Sequence, residues 1–220
     1  HETGLIAHGR GEAFDYLIDE KTIPIVEKSE KIAAAALLLA EKPVISVNGN
    51  VVALVAKECI NLSYAIPAKI EVNLFHRTEE RINKIMQELK KYGLKEVYGK
   101  NGDAHIEGLD HSRGICDKEG LYSADVVLVS LEDGDRCQAL GNMGKKVIAI
   151  DLNPLSRTAR TADITIVDNV VRAVPNIERW IKKLRKEDKK YLAEMIKSWD
   201  NRKMLNNILN FISKRLNSLY

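Results

Sequence analysis

Short runs of β-branched residues alternate along the chain with longer stretches whose apolar residues recur every three or four positions. Pro43-Val44-Ile45-Ser46-Val47-Asn48 reads as a buried strand broken by Gly49. From Asn50, a candidate N-cap, Val51, Leu54, Val55 and Ile60 fall on one helical face. Ile70-Glu71-Val72-Asn73-Leu74-Phe75 predicts a second strand running into Arg77-Thr78-Glu79-Glu80, with Thr78 placed to cap a helix through Leu89. A weak strand lies near Glu96-Val97-Tyr98, and clear ones follow at Asp125–Leu131, Lys146–Asp151 and Asp163–Asp168. Val and Ile runs that do not alternate with polar residues belong to strands covered on both faces, as in a parallel sheet. Strands alternating with helices then give the expected class: α/β, a doubly wound, mostly parallel, Rossmann-like sheet with additional N- and C-terminal helices.

The flanks carry those extra helices. Residues 12–42 read as mostly helical, with Ala33 to Ala36 suited to close packing. Residues 175–219 predict two charged, amphipathic helices on which Trp180, Leu184, Tyr191, Met195, Trp199, Leu205 and Leu209 recur at helical spacing. That stripe reads as a face docked on the sheet domain or on a second subunit. The expected organisation is a ligand-binding sheet domain over 1–174 and C-terminal helices over 175–220.

Composition narrows the function. Of 220 residues 45% are hydrophobic, enough for a sizeable core, and 30% are charged. The 34 basic and 31 acidic side chains leave a net charge of only +3, which argues against a dedicated nucleic-acid binder. The longest apolar run, Ile32 to Ala40, is about half of a bilayer span, and no signal-peptide pattern opens the chain. Cys59, Cys116 and Cys137 have neither disulfide-framework nor zinc spacing. A cytoplasmic protein without a nucleic-acid or membrane partner is expected.

In doubly wound sheets ligands lie beyond the carboxyl ends of the strands. Here those ends are polar: Asn48-Gly49-Asn50, His76-Arg77, Glu132-Asp133-Gly134-Asp135, Asp151-Leu152-Asn153 and Asp168-Asn169. Neither a Walker A loop nor GxGxxG is present; Gly141 to Lys145 approximates the first only loosely and precedes a strand. His8-Gly9-Arg10-Gly11-Glu12 reads as a loop that brings a guanidinium to a phosphate or carboxylate, the plainer reading being an arginine paired with a surface acid. Asp133 and Asp135 suit either Mg²⁺ or the acidic start of a helix. In Asp151-Leu152-Asn153-Pro154-Leu155-Ser156-Arg157-Thr158 the aspartate can accept from ribose hydroxyls while Arg157 and Thr158 donate to phosphates; a turn nucleated by Asn153-Pro154 is the bland alternative. Asp110-His111-Ser112-Arg113 lies in a long stretch, 99–123, of the kind that carries function. It is not a triad, but His111 and His76 can act as acid, base or charge stabiliser, or be surface residues.

Taken together, Gly4 to Leu17, Val44 to Asn50, Glu71 to Thr78, Gly108 to Arg113, Leu131 to Arg136, Asp151 to Thr158 and Val167-Asp168-Asn169 resemble, in consistent order, the archaeal phosphopantothenate synthetase (4-phosphopantoate–β-alanine ligase) family. The resemblance covers roughly residues 4–175. It implies an ATP-dependent amide ligase of archaeal coenzyme A biosynthesis that converts 4-phosphopantoate, β-alanine and ATP into 4′-phosphopantothenate, AMP and pyrophosphate through an acyl adenylate. It implies ATP contacts at Arg10, Asp151, Leu152, Asn153, Arg157, Thr158, Asp168 and Asn169, and a homodimer. Strand-end placement and polarity add Asn48, Asn50 and Arg113 as candidate substrate ligands, His76, Arg77, Asp110 and His111 as candidate catalytic groups, and Asp133 and Asp135 as candidate Mg²⁺ ligands. The family carries a further short segment with a basic ATP contact ahead of this block, whereas this chain opens at His1-Glu2-Thr3 without Met, so the inferred site is expected to be incomplete. Rival readings are an NAD(P)-dependent oxidoreductase, against which the missing GxGxxG counts, and a non-catalytic adenine-nucleotide sensor with the C-terminal helices as its output.

Overall fold

A computed structural model of the chain describes residues 2–218, excepting the side chains of residues 2–5, 7, 8, 10 and 111. The strands are β1 (Pro43–Val47), β2 (Lys69–Val72), β3 (Ala104–His105), β4 (Ile115–Cys116), β5 (Val126–Ser130), β6 (Lys146–Ile150) and β7 (Ile164–Ile166). The helices are α1 (Glu2–Leu17), α2 (Pro24–Leu39), α3 (Gly49–Ala65), α4 (Glu79–Lys91), α5 (Gly134–Asn142), α6 (Arg157–Thr161), α7 (Val170–Leu184), α8 (Lys189–Lys197) and α9 (Asn201–Asn217). Five strands form one sheet in the order β2-β1-β5-β6-β7, every pair parallel, while β3 and β4 make a small antiparallel pair.

The unbroken Val/Ile runs are explained by burial on both faces. Leu128, Ile148, Ile150 and Ile164 enter one core with α2, α3 and α7, and Val127, Val129, Val147 and Ala149 enter a second with α5 and the 104–124 excursion. Ala33, Ala34 and Ala35 are fully buried in α2, which packs on α7 and α8. Among the described residues no helix is long and apolar enough to cross a membrane.

Several local expectations change. Helix α3 is capped by Asn48, not Asn50: the Asn48 side chain accepts from the amides of Asn50 and Val51 at 3.0 and 3.1 Å, so the helix starts two residues earlier. Thr78 does cap α4. The segment near Glu96-Val97-Tyr98 forms only an isolated bridge from Tyr98 to Glu71. Residues Gly9-Arg10-Gly11 lie within helix α1 and not in a loop, and Arg157 opens helix α6 behind an N-cap at Ser156. Three C-terminal helices replace the expected two: α7 begins at Val170 and runs unbroken across 174/175, and Asp188 and Asp200 cap α8 and α9. Asn201 then clamps α9 to the sheet. Its Nδ2 donates to the carbonyls of Ala159 and Ala162 and to Thr165 Oγ1 at 3.0–3.1 Å, and its Oδ1 accepts from the Thr165 amide at 2.7 Å.

The 99–123 stretch is tied to β2 by the Glu71 carboxylate and closed on itself by that of Asp117. Glu71 accepts from the amides of Asp117 and Leu121, at 3.2 and 2.5 Å, and Asp117 accepts from the amides of Gly99 and Gly102, both at 2.7 Å. A β-carbon on Gly120 would collide with the Glu71 carboxylate, so glycine is required there. Burial pushes the Glu71 carboxyl up to about 7, partly offset by those amide bonds.

Candidate functional site

From β1 the chain moves outward to β2 and then returns to β5 on the other side of β1. The switch point, and with it the crevice where ligands bind in such sheets, is therefore between the ends of β1 and β5. Asn48 spans it. Besides capping α3 it donates from Nδ2 to the carbonyls of Ser130 and Leu131, at 3.1 and 3.4 Å. Leu131 itself has φ +54°, a left-handed conformation uncommon for a branched residue, which swings the chain out of β5 into the acidic segment.

That segment meets two arginines. Arg113 pairs with Asp133 and stands 3.4 Å from Asp135, and Arg157 pairs with Asp135 from the other side. The Arg113 guanidinium also lies over the Phe75 ring, 4.6 Å from its centroid. Behind them, buried Arg136 donates from Nη2 to the Arg113 carbonyl at 2.6 Å and approaches Glu132 at 3.8 Å. Burial raises the Glu132 carboxyl, opposed by Arg136 and Arg113. A β-carbon on Gly134 would come within 2.8 Å of Arg157 Cβ, so glycine lets α5 begin against that side chain. Thr158 Oγ1 donates to the Glu132 carbonyl at 2.9 Å, lacing the β6 loop to the β5 loop. Asp133 caps α5, accepting from the Asp135 amide at 3.2 Å. Asp133 and Asp135 thus face arginines, and the described residues contain no group of three or more His, Cys, Asp or Glu able to hold a metal ion. The donor set does not fit a protein-held Mg²⁺.

After β6 the chain forms a hydrogen-bonded turn. Asp151 accepts from the Asn153 amide at 2.9 Å and from Ser156 Oγ at 2.5 Å, and Asn153 accepts from the Leu155 amide at 2.9 Å. Burial raises the Asp151 carboxyl, countered by those bonds. Leu152 is buried, and a β-carbon on Gly11 would lie 3.6 Å from its Cδ1, so α1 passes over this turn at Gly11. The Arg10 side chain, expected to bind ATP, lies outside the described residues, as does that of His111, an expected catalytic group.

Beyond β7, Asp168 accepts from Thr22 Oγ1 at 2.5 Å, from the Asn169 amide at 2.8 Å and from Arg172 Nε at 2.8 Å. Asn169 caps α7 and donates to Asp15 at 3.0 Å, and Asp15 pairs with Arg172. These residues bind α1, the turn before α2 and α7 together at the sheet edge. Burial raises the Asp168 carboxyl, and Thr22 and Arg172 oppose it.

On the β2 side His76 is exposed and packs edge-on against Phe75 at 4.8 Å, Asp110 is exposed, and Asn50 sits in the first turn of α3. Arg77 turns inward: Nη2 donates to the Gly99 carbonyl at 2.7 Å, and the guanidinium borders a cavity of about 370 Å³. The structure therefore gathers Arg113, Asp133, Asp135 and Arg157 through direct contacts, with Asn48 and Thr158 bonded to carbonyls of the same segment after β5 and the Asp151–Asn153 turn adjoining. It places Asp168 and Asn169 in the neighbouring network and His76 and Arg77 on the opposite flank. Sequence reasoning named Glu132 only as part of a polar strand end, and it did not single out Phe75, Arg136 or Asn73 as site residues. Of these only Arg136, four residues after Glu132, carried a readable signal as a helical ion pair. Asn73, buried at the β2 end with Oδ1 unpartnered among the described residues, carried none.

A doubly wound sheet whose switch-point loops present arginines and tight polar turns is an α/β architecture of the class that binds ligands at the carboxyl edge of its sheet. The chain belongs to the phosphopantothenate/pantothenate synthetase family, which residues 25–215 match. It is 55% identical over 219 residues to the 4-phosphopantoate–β-alanine ligase of Thermococcus onnurineus (strain NA1), covering 99% of this chain and 84% of that protein. The protein of the same name from Thermococcus kodakarensis is 54% identical over 219 residues, with 99% and 84% covered. That from Methanosarcina mazei is 51% identical over 216 residues, with 98% and 85% covered. The resemblance carried by the strand-end blocks is borne out as family membership.

Proposed function

We propose that the chain is an ATP-dependent ligase of archaeal coenzyme A biosynthesis. It joins 4-phosphopantoate to β-alanine and yields 4′-phosphopantothenate, AMP and pyrophosphate. The observation that carries this reading is identity above one half, over nearly the whole chain, to relatives named 4-phosphopantoate–β-alanine ligase. An NAD(P)-dependent oxidoreductase and a non-catalytic sensor are both at odds with that name.

A carboxylate resists amines because oxide is a poor leaving group. Attack of one carboxylate oxygen on the α-phosphate of ATP forms a mixed anhydride and expels pyrophosphate. The β-alanine amine, as free base, then attacks the carbonyl and expels AMP. Negative charge gathers first on the phosphates and then on the tetrahedral oxygen, so fixed cations and aimed donors supply most of the catalysis. Holding the anhydride in a closed crevice shields it from water.

In this reading Arg10, Asp151, Leu152, Asn153, Arg157, Thr158, Asp168 and Asn169 hold ATP. Arg157 and Thr158 serve the phosphates, and Asp168 and Asn169 act chiefly by fixing α1 and α7 around the nucleotide. Arg113 and Asn50 serve the acid, while Asn48, its amide already used at both ends, positions the crevice. His76, Arg77, Asp110 and His111 line the acid and amine side. Mg²⁺ arrives on the phosphates of the nucleotide, and no step is assigned to it. The protein acts in the cytoplasm as a homodimer, with its C-terminal helices at or near the interface.

The test is a product assay on the full-length protein. Amide should form only with ATP, 4-phosphopantoate and β-alanine together, with AMP and pyrophosphate as co-products; ADP and inorganic phosphate instead would contradict the adenylate route.

A further inference from the structure

Helix α1 is held by its C-terminal end. Along α1 and the residue after it, the buried side chains among those described are Asp15 and Ile18, while Ile6, Glu12, Ala13 and Tyr16 are exposed. Gly11 and Asp15 stand four residues apart and share one face of the helix, so whatever holds Asp15 also sets where α1 passes over the Leu152 turn. Residue 10 lies about 7.5 Å along the helix from that anchor.

Arg172 is the anchor. Its Nη1 donates to Asp15 Oδ2 at 3.2 Å and to the Glu20 carbonyl at 3.0 Å, its Nη2 pairs with Asp15 Oδ1, and its Nε donates to Asp168 Oδ1 at 2.8 Å. Asp19 and Glu20, at φ +68° and +52°, are left-handed without being glycine, a conformation that persists where neighbours hold it. The Arg172–Glu20 bond does so, with the Glu20 amide on the Asp15 carbonyl at 3.0 Å. A second chain of bonds fixes the other oxygen of Asp168. Asn176 Nδ2 donates to Glu30 Oε1 at 2.9 Å and to Thr22 Oγ1 at 3.1 Å. Thr22 therefore accepts from the amide, and its own hydrogen is directed at Asp168 Oδ2, 2.5 Å away.

We propose that Arg172 and Thr22 are positioning residues of the nucleotide site: they hold Asp15 and Asp168, and through them the part of α1 that carries Arg10 over the turn after β6. The inference rests on the ligase reading for its nucleotide and deepens it. ATP brings several negative charges to this edge, and a cation supplied from α1 stabilises them only if the helix is already in place when the nucleotide arrives. The bonds from Arg172 and Thr22 place it there before binding. Loosening them lets α1 sample other positions over the turn, so ATP must restore the productive one at a cost to its affinity. The acid and amine side, on the β2 flank, is untouched by that change.

The test is calorimetric titration of the full-length protein with ATP, independent of turnover, beside steady-state kinetics. Thr22→Val keeps the shape and removes the hydroxyl. It should weaken ATP about threefold to tenfold, and Thr22→Ser should restore most of the loss. Arg172→Lys keeps the charge without the fork and should weaken ATP about tenfold or more; it carries the same test if the valine variant does not fold. With ATP saturating, kcat and the KM for 4-phosphopantoate should stay within about twofold of wild type in both variants. A cycle with Arg10→Ala separates positioning from a general structural defect. Because Thr22 acts through the helix that carries Arg10, the loss in the double variant should fall well short of the sum of the two single losses. Unchanged ATP affinity in both variants, losses that add in full, or equal weakening of ATP and 4-phosphopantoate would overturn the assignment. A wild type that binds ATP with this pattern yet forms no amide would refute the ligase reading and leave the positioning residues standing; a wild type that binds no ATP would refute both.

Discussion

At Glu30 burial and chemistry pull in opposite directions. The side chain is fully buried in α2; Oε1 accepts from Asn176 at 2.9 Å while Oε2 has no partner among the described residues. Burial pushes its carboxyl from 4.5 up to about 8, only partly countered by Asn176. The folded protein thus keeps a proton that the unfolded chain releases. The stability from this group is complete below 4.5, is lost as the pH rises from there to about 8, and stays lost above. The slope there reaches about 1.4 kcal/mol per pH unit. Glu30→Gln keeps the acceptor for Asn176 and cannot ionise, so urea denaturation should show the variant gaining on wild type from pH 4.5 up to about pH 8 and no further above it; a constant difference would contradict the burial argument. Arg157 is the residue on which the phosphate reading leans. Arg157→Ala should lower kcat/KM for ATP about tenfold to a hundredfold, with lysine recovering part of it because it restores charge without the fork. Unchanged ATP kinetics in the folded variant would remove Arg157 from the site. Arg113, Asp133 and Arg157 were visible in the sequence as charges at strand ends. Their pairing was not, because Phe75 and Arg136, which seat Arg113, come from elements distant in the chain.

Among the elements, the crevice depends on how β1 and β5 are joined. Asn48 uses every polar atom of its amide there, two amides of α3 on one side and two carbonyls of the β5 end on the other. Asn48→Ala should cost about 1–3 kcal/mol of stability from the lost cap and clamp, and it should raise KM for substrate without changing which products form. Chemical denaturation and steady-state kinetics check this; wild-type stability would mean that the clamp is dispensable. Strands and parallel class were legible because burial on both faces leaves a run of Val and Ile that no half-exposed strand shows. Boundaries were less legible. Asn48 and Asn50 are equally good caps in composition, and only the extended backbone of Asn48 decides between them. Asp188 and Asp200 read as surface charge until the structure shows them starting separate helices.

For the whole molecule, strand order could not be read from pattern, so the strand ends were known to be polar without being known as neighbours. The order β2-β1-β5-β6-β7 sets the Asp133 and Arg157 loops side by side and places Arg77 two strands away from β5. Tyr191 in α8 and Leu216 in α9 remain 44% and 46% exposed, which suits a contact between copies of the chain. Light scattering at micromolar concentration should give a dimer mass, and a monomer mass would contradict the proposed assembly. The central claim is activation of the acid by the α-phosphate at the switch-point crevice, and isotope transfer tests it most directly. With ¹⁸O in the carboxylate of 4-phosphopantoate, mass spectrometry of the products should find one labelled oxygen in the phosphate of AMP and none in pyrophosphate; label recovered in inorganic phosphate, with AMP unlabelled, would contradict it.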